Sequence, residues 1–256
     1  MGILNVTPDS FSDGGAFYRQ DDALYQAEAM IDAGADIVDV GGESTRPGAS
    51  DVSESQEIDR IAPVIEAIVS RLSTIVSIDT SKAGVIRAAA DAGATMVNDV
   101  RALREPGALD AAVSTGLPVC LMHMKGQPRS MQEAPSYDDV VKDVYDFLMQ
   151  RREVCIAAGI PAKQLVLDPG FGFGKTLEHN LALASNLEKL SKEAPVLIGL
   201  SRKRMLGAIL GDDSLGRTTA SVTAALLCVQ RGASIVRVHD VEPTVQALTV
   251  LAAFEQ

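Results

Sequence analysis

Eight short apolar runs recur along the chain, each closing on polar or charged residues and each followed by a helix-length segment. They cover 2–6, 37–41, 75–79, 96–100, 119–124, 165–168, 196–201 and 235–239. Within them apolar residues are nearly continuous rather than alternating, as in strands buried on both faces. The segments between, 21–33, 54–72, 82–92, 106–115, 137–158, 177–191, 217–231 and 241–254, read as amphipathic helices. Ala-Gly-Ala at 33–35 and 92–94, Arg-Gly-Ala at 231–233, and Gly116 and Gly159 stand just before strand-like runs. A glycine there fits the left-handed position that ends a helix, so each marks a helix-to-strand junction. Pro243 fits the first turn of the last helix, where its missing N–H costs little.

Eight strands alternating with eight helices predict one α/β domain over 1–256, a (β/α)8 TIM barrel. A doubly wound open sheet is the competing arrangement. The barrel is favoured because the last strand–helix unit is as complete as the first. Nothing in the chain reads as a linker, charge block or low-complexity segment.

A hydrophobic fraction of 46% supplies a large core, and 22% charged residues argue against a disordered class. No apolar stretch approaches the roughly 20 residues that cross a bilayer, and no signal-peptide pattern opens the sequence. The net charge of −11 argues against nucleic acid or an anionic membrane as partner, so any phosphate ligand needs a local cluster of cations. Cys120, Cys155 and Cys228 lie far apart in apolar runs, which fits buried free thiols in a reducing cytoplasm.

If the runs form one barrel, their C-terminal ends meet on one face, where barrel sites are built. Asn5, Asp39, Asp79, Asn98, His123, Asp168, Lys203, Arg237 and His239 stand at or near those ends. Two loops there, 5–15 and 41–48, mix Gly, Pro and small polar residues as functional loops do; ordinary exposed turns share that composition. A third, 168–175, sets Phe171 and Phe173 among glycines. It suits either a phosphate cradle or a flat aromatic ligand between the two rings. Asn98 and Asp99 are adjacent, so only one faces the barrel axis, whereas Arg237 and His239 share a side. Two cation-capable groups together in so acidic a chain point to an anion; a packing role is the alternative for His239. Asp79, followed by Thr80 and Ser81, also suits a helix cap. His123 has no partner at metal-ligand spacing.

The segments 3–15, 41–48, 167–173, 201–203 and 237–240 together resemble the dihydropteroate synthase family, in order and from end to end. The resemblance implies the barrel already expected, a dimer through late helices, and an aminobenzoate site at which sulfonamides compete. It implies a reaction that joins 6-hydroxymethyl-7,8-dihydropterin diphosphate to 4-aminobenzoate and releases pyrophosphate. It further implies that Asp168 grips the pterin ring, with Asp79 and Asn98 reading other ring atoms and Met122 packing on the ring. Lys203 would bridge the pterin and aminobenzoate regions, with Ser201 near the carboxylate. Thr45, Arg46, Arg237 and His239 would contact the diphosphate, and Phe11 and Pro47 would wall the aminobenzoate pocket. Asn5 resembles a Mg²⁺ ligand whose shell is completed by phosphate oxygens and water. By its pattern Asp39 is buried, where a structural role is favoured over support of the pterin site, and Asp99 suits a structural hydrogen bond. Arg204 stands where relatives carry serine or arginine, so the donor to the aminobenzoate carboxylate stays open. The competing reading is a non-catalytic or methyl-transferring pterin-binding barrel, which needs no diphosphate cluster.

Overall fold

The computed structural model describes residues 1–7, 16–44, 51–126, 131, 134–212 and 214–255, the side chains of 16–19 excepted. Among these, eight parallel strands pair in chain order: β1 (Gly2–Asn5), β2 (Ile37–Gly41), β3 (Ile75–Asp79), β4 (Met96–Asp99), β5 (Val119–Met122), β6 (Leu165–Asp168), β7 (Val196–Ile198) and β8 (Ala233–Val236). The ring closes just beyond β8. Val238 bridges Gly2, its N–H donates to the Met1 carbonyl at 2.9 Å, and the Ile3 N–H donates to its carbonyl at 3.0 Å. The expected (β/α)8 barrel is therefore the fold. Apolar side chains fill both shells: Leu4, Val38, Val76 and Val97 face the helices, while Met96, Cys120, Val166 and Leu197 pack inside the barrel.

The helices are α1 (Ala16–Asp32), α2 (Glu54–Arg71), α3 (Ala83–Asp91), α4 (Ala108–Thr115), α5 (Val140–Ala157), α6 (Leu177–Ser185), α7 (Glu188–Ser191), α8 (Arg204–Leu210), α9 (Thr218–Val229) and α10 (Val241–Phe254). The five junction glycines, Gly34, Gly93, Gly116, Gly159 and Gly232, all have positive φ, as helix stops require. Ser53 and Gln56 form a reciprocal cap that starts α2, and Asp139 caps α5.

Element boundaries differ from expectation in several places: α1 begins at Ala16 rather than 21, and β7 ends at Ile198 rather than 201. The segment 177–191 is two helices, because Asn186 leaves the helical path and its side-chain amide turns back onto the Ala182 carbonyl. A helix absent from the sequence reading, α8, follows β7 directly; its signal was the run 204–210 ending on Gly211. β8 begins two residues earlier and ends three earlier than expected, and its pairing with β7 carries a one-residue register shift beside Val196 and Leu197. Beyond β8 the chain stays extended, and the Arg237 N–H donates to Ile198 at 2.9 Å. Arg237 thus keeps its inward direction while Val238 packs outward.

The turns after β5 and β6 are pressed together. Gly170 has φ +68°, and a Cβ there would stand 1.9 Å from the His123 carbonyl oxygen. Gly211 has a similar φ of +72° with nothing within 4 Å. Gly170→Ala should therefore cost about 3 kcal/mol or more, from clash plus left-handed strain, and Gly211→Ala only about 1 kcal/mol. Urea unfolding of the two variants checks this ordering.

Candidate active site

The strand register levels the polar residues. Asn5 pairs with Gly41, Gly41 with Asp79, Asp79 with Asn98, and Met122 with Asp168. Being in register, they face the same interior, and the barrel's C-terminal end becomes a cup. Arg237 crosses it from the far edge. Its Nε donates to Asp39 Oδ2 at 2.5 Å and its Nη2 to Asp79 Oδ2 at 2.7 Å. Asn98 Nδ2 donates to the same Asp39 oxygen at 3.0 Å. Burial pushes the Asp79 carboxyl up, while the Arg237 guanidinium pulls it back toward the ionised form. Arg237 itself is held above the ordinary arginine range by Asp39 and Asp79, against the effect of its burial. The structure thus seats Arg237 on two carboxylates rather than leaving it bare at the rim.

Asp168 stands on the opposite wall, buried, with Oδ1 accepting from the Gly170 N–H at 2.7 Å. Burial raises its pKa, and Lys203 is the strongest influence in the other direction. Lys203 precedes α8; its Nζ donates to the Phe171 carbonyl and lies 4.6 Å from the centre of the Phe173 ring. Burial lowers its pKa to about 8, opposed by Asp168. Ser201 is buried beside it, and its hydroxyl takes the His239 N–H and meets His239 Nδ1, both at 3.1 Å. Asn98, Asp79, Asp168, Lys203, Ser201, Arg237 and His239 therefore come together, with Met122 and Phe173 in one apolar cluster beside them. Phe11, Thr45, Arg46 and Pro47 lie outside the described residues.

The loop after β6 corrects two expectations. Phe171 is fully buried in the outer core against the helices, so its ring does not line the cup; only its carbonyl reaches Lys203. Nor is the loop an open phosphate cradle. The N–H groups of Gly170, Gly172 and Phe173 are engaged within the protein. Lys175, which sequence reasoning passed over, fills the space beneath. Its buried Nζ reaches His123 Nδ1 at 2.9 Å and the carbonyls of Gly170, Phe173 and His123 at 2.9, 3.0 and 3.3 Å. Burial draws its pKa down to about 7. A lysine closing a glycine-rich turn was the available signal for this clamp.

Asp99 has the structural part expected of it. Its carboxylate accepts from Ser81 Oγ and from the Arg101 and Leu103 N–H groups, both at 2.7 Å, holding Ala102 and Leu103 at positive φ. Lys82 pairs with Glu57 at 2.5 Å and Glu43 at 3.0 Å, and Glu43 also accepts from the Val52 N–H. This ties β2's loop root to α2 and α3; neither lysine nor glutamates were singled out by the sequence.

The sequence pattern of the family described as pterin binding enzyme matches residues 1–239. The chain belongs to the pterin binding enzyme family. Among its relatives, the dihydropteroate synthase of Escherichia coli (strain K12) is 52% identical over 254 residues, covering 99% of this chain and 90% of that protein. The dihydropteroate synthase of Haemophilus influenzae is also 52% identical over 254 residues, covering 99% and 92%. A crystal structure of Yersinia pestis dihydropteroate synthase with a sulfonamide drug superposes with a TM-score of 0.94 at 53% identity, covering 100% of this chain and 93% of that one. Xanthomonas albilineans dihydropteroate synthase in complex with 7,8-dihydropteroate gives 0.90 at 46% identity, covering 100% and 92%.

His123 sets a pH dependence for this family member. Burial and the neighbouring Lys175 hold its pKa down at about 2, so the folded protein keeps the ring neutral in acid. The unfolded histidine gains its proton below about 6.5, so its contribution is complete above that value and is lost as pH falls. Between pH 7 and 5 the protein should lose about 2 kcal/mol more stability than His123→Asn, whose amide oxygen can still face Lys175. Equal losses in parallel denaturant titrations would contradict this.

Proposed function

We propose that the cup carries out the dihydropteroate synthase reaction, joining 6-hydroxymethyl-7,8-dihydropterin diphosphate to 4-aminobenzoate. The observation that carries this reading is the meeting of Asp79, Asn98, Asp168 and Lys203 at the barrel's C-terminal end, with Arg237 held on Asp39 and Asp79 and His239 on Ser201. The pterin's ring N–H and amino groups meet Asp168, whose Oδ1 is already oriented by Gly170; a carboxylate accepts two such bonds side by side. Asp79 and Asn98 read the remaining ring atoms, and Met122 and Phe173 supply apolar contact. Lys203, charged beside Asp168, spans from the pterin toward the arylamine, which enters on the Ser201 side.

In the chemical step the methylene carbon–oxygen bond breaks, its electron pair leaving with the diphosphate. The arylamine nitrogen bonds to that carbon and releases a proton. Arg237 and His239, with Thr45 and Arg46, stabilise charge on the departing group. The arylamine is nucleophilic when neutral, so no strong base is required. By the family resemblance Phe11 and Pro47 would wall the arylamine's side and exclude water.

Asn5 would hold magnesium. Its amide oxygen lies at the end of β1, 3.7 Å from the place of a Cβ on Gly41. Among the described residues no cluster of three or more His, Cys, Asp or Glu side chains could hold a metal. One neutral oxygen ligand fits an ion that keeps water and phosphate oxygens as its other ligands. Bound there, magnesium would offset negative charge on the diphosphate. A homodimer through α9 and α10 is supported by their exposed Leu227, Val250 and Phe254. A cytoplasmic setting is supported by three buried free cysteines. No helix among the described residues is long and apolar enough to cross a membrane.

Mixing the two substrates with the protein should release pyrophosphate in step with 7,8-dihydropteroate; pterin binding without release would favour the non-catalytic alternative. Asp168→Ala leaves pterin donors unpaired, which costs about 1–3 kcal/mol or more. Pterin affinity should fall at least tenfold with the fold retained by circular dichroism, and near-normal affinity would remove Asp168 from this role.

A further inference from the structure

Asp39 is fully buried in the middle of the barrel, level in the register with Ile3 on one side and Ser77 on the other. One of its oxygens, Oδ2, accepts from both Asn98 Nδ2 and Arg237 Nε, at 3.0 and 2.5 Å. Its other oxygen, Oδ1, and the neighbouring Ser77 Oγ are buried with no hydrogen-bond partner among the described groups. A buried carboxylate with one oxygen unsatisfied costs stability that an apolar side chain there would not. What the aspartate supplies against that cost is a single oxygen that compensates the buried Arg237 and holds the Asn98 amide.

We propose that Asp39 is a positioning residue for pterin recognition, fixing which way the Asn98 amide faces and where Arg237 sits. The inference rests on the functional reading above. The physical basis is donor–acceptor complementarity. A carboxylate partnered by arginine only accepts, so it takes the NH₂ end of the Asn98 amide. A flipped amide would set oxygen against oxygen at 3.0 Å, an unfavourable contact in a low-dielectric interior. Asn98 Oδ1 and the second Nδ2 hydrogen are thereby left in one fixed order for a ligand. Arg237, held by the same oxygen, keeps Asp79 in place through its other arm. Asp39 touches no reacting atom and acts through these two side chains.

The test is calorimetric titration of 6-hydroxymethylpterin, which carries the ring without the diphosphate. It is made on the wild-type protein, Asp39→Ala, Asn98→Ala and the double variant. Each single change should weaken binding by about tenfold or more, and the double variant should be no more than about threefold weaker than the worse single one. In turnover, Asp39→Ala should raise KM for the pterin diphosphate at least tenfold and leave KM for 4-aminobenzoate within about twofold, a split that general loosening would not produce. Asp39→Ala binding within about threefold of wild type, or losses that multiply in the double variant, overturns the proposal alone. A wild-type protein that binds no pterin overturns the functional reading beneath it. Should Asp39→Ala not fold, NMR of the ligand-free wild type decides. Two resolved Asn98 side-chain amide protons, one shifted downfield and slow to exchange, support the lock; a fast-exchanging, averaged pair overturns it.

Discussion

Arg237 reaching across the barrel mouth to Asp39 and Asp79 is the contact on which the rest of the site depends. It joins residues 198 and 158 positions apart in the chain, tying the last strand's extension to β2 and β3 across the barrel mouth. Asp39 in turn orients Asn98 on β4. Four strand ends are thus fixed by one buried cation and two carboxylates. Their interaction is strong because burial removes water, and removing one partner would leave another charge uncompensated. The cup is rigid for that reason, and rigidity is what recognition of a flat heterocycle needs.

The opposite wall is organised by a second cation. Lys175 gathers the turns after β5 and β6 onto its ammonium, so Gly170 can present its N–H to Asp168 and Phe171 its carbonyl to Lys203. The site lysine, Lys203, and the structural lysine, Lys175, lie in one small region, and the charge of Lys203 helps depress the pKa of Lys175. Asp168 draws both the other way, so one carboxylate partly offsets the lowering that burial imposes on two lysines.

The strands, the barrel and the polar strand ends were legible in the sequence because each follows from short-range pattern. Continuous apolar runs, helix-stopping glycines and the two-residue period are local signals, and Arg237 and Asn98 point inward as that period requires. What escaped was set by tertiary contact. The register of β8 against β7 includes a one-residue shift that no local pattern signals. The break between α6 and α7 depends on how Asn186 turns back on its own helix. Phe171 looked like a ring awaiting a flat ligand, yet it packs in the outer core beside Leu167 and Ile198. The partners of Lys175 and of the Lys82–Glu57–Glu43 group could not be read from the segments that contain them, since their roles exist only once distant loops meet.

The most direct measurement of the central claim is a crystal structure of this chain with a pterin and pyrophosphate bound together. The ring edge should lie on Asp168, with Asn98 and Asp79 at hydrogen-bonding distance on its other side and the pyrophosphate beside Arg237 and His239. A pterin seated outside the barrel mouth, or one bound there without touching Asp168 and Asn98, would contradict it.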